Sequence, residues 1–170
     1  NFRMTEIQSQ IGLCELKRFD SWNLPNRIRN GKMLKKALEK HPLVLHAPVD
    51  TKERKNSYWW APFVLDTGKL TCTIKEFIKA IAAEGVPVYS VLWPEMYKER
   101  AYLERNGFGV AKYPFFDPKA RNIDYSQVDC PRARWMTDRT MCFFTHPVYT
   151  EAHMQACIDA FKKVAKAYMK

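Results

Sequence analysis

Apolar positions recur along this chain with two different periods, and the places where the period changes predict its elements. From Thr5 to about Arg18, Ile7, Ile11 and Cys14 return at helical spacing, and Leu13 and Leu16 widen the stripe. Thr5 and Gln8 form a capping-box pair at the start of this helix. Gly12 lies inside it at a cost of about 1 kcal/mol relative to alanine, which points to close helix packing there. The pattern breaks at Asp20-Ser21-Trp22-Asn23. Pro25 then fits the first turn of a second helix, from about Leu24 to Lys40, with Ile28, Leu34 and Leu38 inward. Gly31 weakens its continuity, and Pro42 bars its extension.

Beyond Pro42 the period shortens. Leu43 to His46 and Tyr58 to Leu65 read as strands rich in aromatic and branched residues, with a polar loop from Asp50 to Asn56 between them. Pro48 and Pro62 point to edge strands or bulges. Thr73 and Glu76 make a full capping box, Ile74, Phe77, Ile78 and Ile81 form a stripe, and Gly85 ends the helix. A strand is predicted from Val86 to Trp93 and a short helix from Met96 to about Glu104. Phe108 to Asp129 has little periodicity, as functional or interface loops often do. A short helix from Pro131 to Thr140, a strand from Met141 to His146 and a last helix beginning at Thr150 complete the chain. The last helix buries Met154, Cys157, Ile158, Phe161, Val164 and Tyr168.

The order predicts an α+β fold, with helices covering one face of a small, mostly antiparallel sheet. It also divides the chain into long leading helices over residues 1–40 and a small α/β domain over residues 41–170.

Composition permits this and narrows the function. An apolar share of 46% is ample for a core. The five cysteines form no Cys-x-x-Cys motif and are odd in number, which suits a reduced, cytoplasmic setting. No apolar run approaches the ~18 residues of a membrane span. The net charge of +10 is scattered, densest at Arg27–Arg29, at Lys32 with Lys35 and Lys36, and at Lys162, Lys163, Lys166 and Lys170. On helices these positions fall largely opposite the apolar stripes, so a solvated face is expected and nucleic acid is not the expected partner.

Chemistry is harder to find. The chain has no Gly-rich phosphate loop, no nucleophile elbow and no His-Glu-x-x-His pair. His41, His46, His146 and His153 are dispersed; His146 stands out because it closes a strand just before Pro147, where side chains commonly face a cleft. Tyr58-Trp59-Trp60 with the basic charge would suit a stacking platform for single-stranded nucleic acid, although aromatics in a strand are more often core. Two classes stay open on this ground: an enzyme portion, or a small basic α+β binding domain for nucleic acid or a protein partner.

Several ordered segments resemble one family. Asn1-Phe2-Arg3-Met4-Thr5-Glu6-Ile7-Gln8 is similar to the Asn-Tyr-Arg-Met-Thr-Glu segment of DegT/StrS-type sugar and aminocyclitol aminotransferases. Ile11-Gly12-Leu13, Gly85-Val86-Pro87-Val88, Cys130-Pro131-Arg132-Ala133 and Thr145-His146-Pro147 follow in the family's order. The resemblance implies the C-terminal portion of a fold-type I enzyme dependent on pyridoxal 5'-phosphate (PLP). Such enzymes move an amino group from glutamate or glutamine to a keto-sugar or keto-cyclitol and work as homodimers. It implies that Asn1, with Arg3 nearby, reaches the cofactor phosphate of the neighbouring subunit, and that His146 faces substrate. It also implies that the Schiff-base lysine lies in a large domain outside this chain, so that the chain alone is inactive. Phe2 departs from the family's tyrosine, and Asn23-Leu24-Pro25 interrupts a commonly smooth helix.

Overall fold

The computed structural model describes residues 3–91 and 95–170. They fall into two compact units, Asn1–Ser90 with Arg139–Lys170, and Val91–Asp138.

The first unit opens with α1, Glu6–Arg18, capped as expected: the Thr5 side chain accepts from the Gln8 amide, and the Gln8 side chain accepts from the Thr5 amide. No residue of α1 is buried, and its apolar stripe is open, with Ile7 75% and Leu16 71% exposed. Close packing at Gly12 is not found: a Cβ there would meet only the Met4 methyl, at 4.0 Å. The break expected at Asp20–Asn23 is milder than a loop. Phe19–Asn23 forms a π-helical turn, and the Leu24 amide donates to the Phe19 carbonyl across the wider ring. Pro25 has no amide to continue the ladder, and it sits in the first turn of α2, Leu24–Leu38, where none is needed. Gly31 does not interrupt α2; it is buried, and the Tyr58 ring lies against it.

Four strands form one antiparallel sheet in the order β1-β2-β4-β3: β1 Val44–His46, β2 Trp60–Leu65, β3 Val88–Ser90 and β4 Thr140–Phe144. β2 pairs with β4 so that Ala61 opposes Phe143 and Phe63 opposes Met141. These four side chains are buried, and they face α2, α3 (Ile74–Ala83) and α6 (Glu151–Tyr168). Pro62 occupies an interior strand, yet beside a break in the β1 pairing, in keeping with the edge or bulge expected. Its tolerance has a local reason: β1 pairs only with Val64 and Leu65, through an irregular register, and does not reach Pro62. The expected strand through Trp93 is short, and Leu92 and Trp93 lie outside the described residues.

α3 and α6 both start on capping boxes, Thr73 with Glu76 and Thr150 with His153. The faces predicted from spacing are the buried ones, Phe77, Ile78 and Ile81 on α3 and Met154, Cys157, Ile158, Phe161 and Val164 on α6, except that Ile74 and Tyr168 are only partly buried. Gly85 takes φ +83° after α3, a conformation that only glycine adopts at little cost.

At the rim of this core the His41 ring stands edge-on to Phe161, at 5.1 Å between centroids, and its Nδ1 accepts from the Leu43 amide. Burial, then the Lys162 charge, lowers its pKa below the ordinary histidine value. The folded chain therefore binds fewer protons here than the unfolded chain, and stability should fall as pH drops below the unfolded value of about 6.5, levelling off below the folded one. Urea titrations from pH 7.5 to pH 5 should show this decline, and His41→Gln should flatten it.

In the second unit the expected helix from Met96 to Glu104 splits into a 3₁₀ turn, Met96–Lys98, and α4, Arg100–Leu103. Glu99 between them is extended, at φ −64° and ψ 144°. Phe108 and Tyr113 exchange backbone hydrogen bonds around a turn containing Gly109 at φ +67°. The rings of Tyr102, Phe115 and Tyr125 cluster at 5.2–6.1 Å. The unit ends with α5, Pro131–Thr137, three residues short of the expected Thr140, which opens β4 instead.

Candidate functional site

The turn between β4 and α6 carries His146, and its own Thr145 with two side chains of α2 fixes it. The buried Thr145 hydroxyl donates to the Tyr58 carbonyl and lies 3.3 Å from the Trp59 carbonyl. Asn30, on α2 and 0% exposed, donates through Nδ2 to the His146 carbonyl at 3.0 Å and to the Tyr149 carbonyl at 3.1 Å. Its Oδ1 accepts from Arg29 Nε and Nη2 at 3.2 and 3.0 Å, and Arg29 Nη2 also donates to the Tyr149 carbonyl at 2.7 Å. An amide with two donors and one acceptor thus closes a clamp between α2 and the turn. His146 Nδ1 accepts from the Val148 amide at 3.4 Å, while the imidazole is exposed. Beside the turn lies an open cleft of about 780 Å³ that includes Trp22, Asn26, Arg29, Pro147 and Tyr149. The Arg18 guanidinium stands over the Trp22 ring at 4.9 Å.

The other residues singled out by sequence are on separate elements. Asn1 lies outside the described residues. Arg3 is exposed, just before the Thr5 cap of α1. His153 is exposed in the first turn of α6, where Nδ1 accepts from the Thr150 amide. Tyr58, Trp59 and Trp60 do not form one platform: Tyr58 is buried against α2, Trp59 is exposed, and Trp60 packs with Tyr89 and Phe144. Cys142 and Cys157 are buried, and burial pushes their thiols up to about 11, so neither is a nucleophile at neutral pH. Among the described residues, no cluster of three or more His, Cys, Asp or Glu could hold a metal ion. No described helix is long and apolar enough to cross a membrane.

Asn30, Arg29 and Trp22 were not among the sequence candidates. The available signal was Asn30 itself, a polar residue in helical register with the inward Leu34 and Leu38.

The sequence model of the DegT/DnrJ/EryC1/StrS aminotransferase family matches residues 1–162. The chain belongs to that family. Solved structures agree on the fold. An aminotransferase from Psychrobacter cryohalolentis superposes with a TM-score of 0.72 at 22% identity, covering 98% of this chain and 40% of its own. Helicobacter pylori PseC, an aminotransferase involved in the biosynthesis of pseudoaminic acid, gives 0.76 at 16% identity over 98% of this chain and 39% of its own. E. coli GDP-4-keto-6-deoxy-D-mannose-3-dehydratase with bound hydrated PLP gives 0.70 at 14% identity, covering 95% and 36%. The family member described here thus spans about two fifths of the length of these structures. Comparison with curated proteins finds no match.

Proposed function

We propose that this chain is the C-terminal portion of a PLP-dependent aminotransferase that moves an amino group from glutamate or glutamine to a keto-sugar or keto-cyclitol. In this reading the parent is a cytoplasmic homodimer, residues 1–40 are helices leading from a large domain, and residues 41–170 form the small α/β domain. The observation that carries the reading is the family match over residues 1–162. The bare apolar stripe of α1 supports it, because a helix with Ile7, Ile11 and Leu16 exposed is built to be covered by another body.

PLP, when bound, supplies the electron sink for amino-group chemistry. This chain's part is at the edges. Arg3 fits an outward reach to a cofactor phosphate, since it is exposed before the N-terminus of α1; Asn1 would contribute an amide donor to the same group. At His146, the Val148 amide occupies Nδ1, so the neutral ring carries its proton on Nε2. That N–H is the donor offered to a substrate oxygen, and the Asn30 clamp holds the turn that presents it.

The test has two arms. The 170-residue chain mixed with PLP should show no stoichiometric absorbance band that glutamate or glutamine discharges. The longer protein should show one, and Asn1→Ala or Arg3→Ala there should weaken cofactor binding. A donor-responsive band at one lysine of the short chain overturns the reading, as does a longer protein that transfers no amino group to any keto-sugar or keto-cyclitol.

A further inference from the structure

We propose that the cleft between α2 and the segment 49–58 binds the phosphate group of a small phosphorylated molecule. The cleft holds about 390 Å³ and is lined by Lys32, Lys35, Lys36, Glu39, Asp50 and Tyr58. Its two carboxylates are already engaged. Glu39 pairs with Lys35 one turn away. Asp50 accepts from the Asn56 amide at 2.8 Å and from Asn56 Nδ2 at 2.6 Å, which closes the segment into a fixed wall. Lys32 and Lys36 form no ion pair within 4 Å among the described residues, so both ammoniums are free to donate; Asp50 keeps its negative charge and acts on Lys32, which leaves the lining with one net positive charge.

The second observation is Tyr58. It is 3% exposed, and its hydroxyl is buried with no hydrogen-bond partner among the described residues. An unpartnered buried hydroxyl costs about 1–3 kcal/mol, so its persistence calls for an acceptor beyond the described residues. The ring is held deliberately. It lies against Gly31, and its backbone is at φ 51°, pinned by the Thr145 hydroxyl on its carbonyl. Burial, then Asp50 and Glu39, raise its pKa, so the phenol stays a donor. Phosphate supplies what these groups lack: several acceptor oxygens for one O–H and two ammoniums. The size of the cleft leaves room for a small carbon skeleton beyond the phosphate. Its ligand groups are not those of the His146 turn, although the Thr145 hydroxyl ties Tyr58 to that turn, and the site does not rest on the aminotransferase reading.

Isothermal titration of the chain with inorganic phosphate and with glycerol 3-phosphate tests this. Saturable binding is expected, tighter for the ester, with glycerol alone giving none. Tyr58→Phe keeps the ring and removes the hydroxyl, so thermal stability should hold or rise while affinity falls about 10- to 150-fold, the loss of one charge-assisted hydrogen bond. Lys32→Met with Lys36→Met should abolish binding; Lys162→Met with Lys166→Met, an equal charge loss on α6, should leave it intact. Absence of saturable binding overturns the proposal. So does equal loss in the two double variants, or unchanged affinity in Tyr58→Phe, because either result reports diffuse attraction to a basic surface.

Discussion

Asn30→Ala should destabilise the chain by about 2–4 kcal/mol, the largest effect expected of any single polar substitution in it. The amide is fully buried and makes four contacts: two donations to the His146 and Tyr149 carbonyls and two acceptances from Arg29. Each made hydrogen bond contributes about 1 kcal/mol net, but a group left buried without a partner costs about 1–3 kcal/mol. The Tyr149 carbonyl keeps its Arg29 donor, so the uncompensated groups are the His146 carbonyl and part of the guanidinium. Alanine's better helix propensity offsets only about 0.7 kcal/mol at most. Urea unfolding should show the loss in the midpoint with an unchanged slope. Asn30→Asp separates shape from donors: it keeps the acceptor for Arg29 and removes both donors to the turn. A loss below about 0.5 kcal/mol in either variant would mean that the turn holds itself.

Gly31→Ala should also destabilise, by about 1–3 kcal/mol, although propensity alone predicts a gain of about 1 kcal/mol in a helix interior. A Cβ at position 31 would lie 2.1 Å from Tyr58 Cδ1 and 2.2 Å from its Cγ. Those are ring atoms next to the backbone, not the tip of a flexible chain, and the backbone there is already held at φ 51°. Relief requires moving Tyr58 away from α2, which opens the core beside Leu34. The informative control is Gly12→Ala in α1, where only the Met4 methyl approaches, at 4.0 Å. That substitution should stabilise or be neutral. Thermal melts of the two variants should therefore move in opposite directions, and a shared direction would show that propensity outweighs contact at position 31.

The contrast between these two glycines shows what the sequence could convey. α1, α3 and α6 were legible because their signals are local: a capping box three residues wide, and stripes that repeat within one helix. The sheet was legible where aromatic and branched residues cluster, as at Trp60–Leu65. Gly31 was read as a weakness in α2 because its reason is Tyr58, 27 positions later and in a conformation no propensity favours. Asn30 was missed for the same cause, since its partners are carbonyls at positions 146 and 149, and a carbonyl has no sequence signature. His146 stands out in the sequence by its place before Pro147, but the contacts that hold its turn have no local signal. The Met96–Glu104 helix failed where, among the described residues, no side chain caps either piece and Glu99 turns extended.

The π-turn at Phe19–Asn23 has a bearing on how the two ends of this helical rod relate. Each residue advances an α-helix by about 100°, so one residue in excess swings everything before it around the axis by that angle. The stripe of Ile7, Ile11 and Leu16 is thereby set in phase independently of the stripe of Leu34 and Leu38. A single continuous rod can then serve two surfaces at an azimuth that an unbroken repeat could not reach. A deletion of Ser21 would re-phase the rod like a gear slipped by one tooth: each half would keep its own contacts, and only the bearing of one on the other would change.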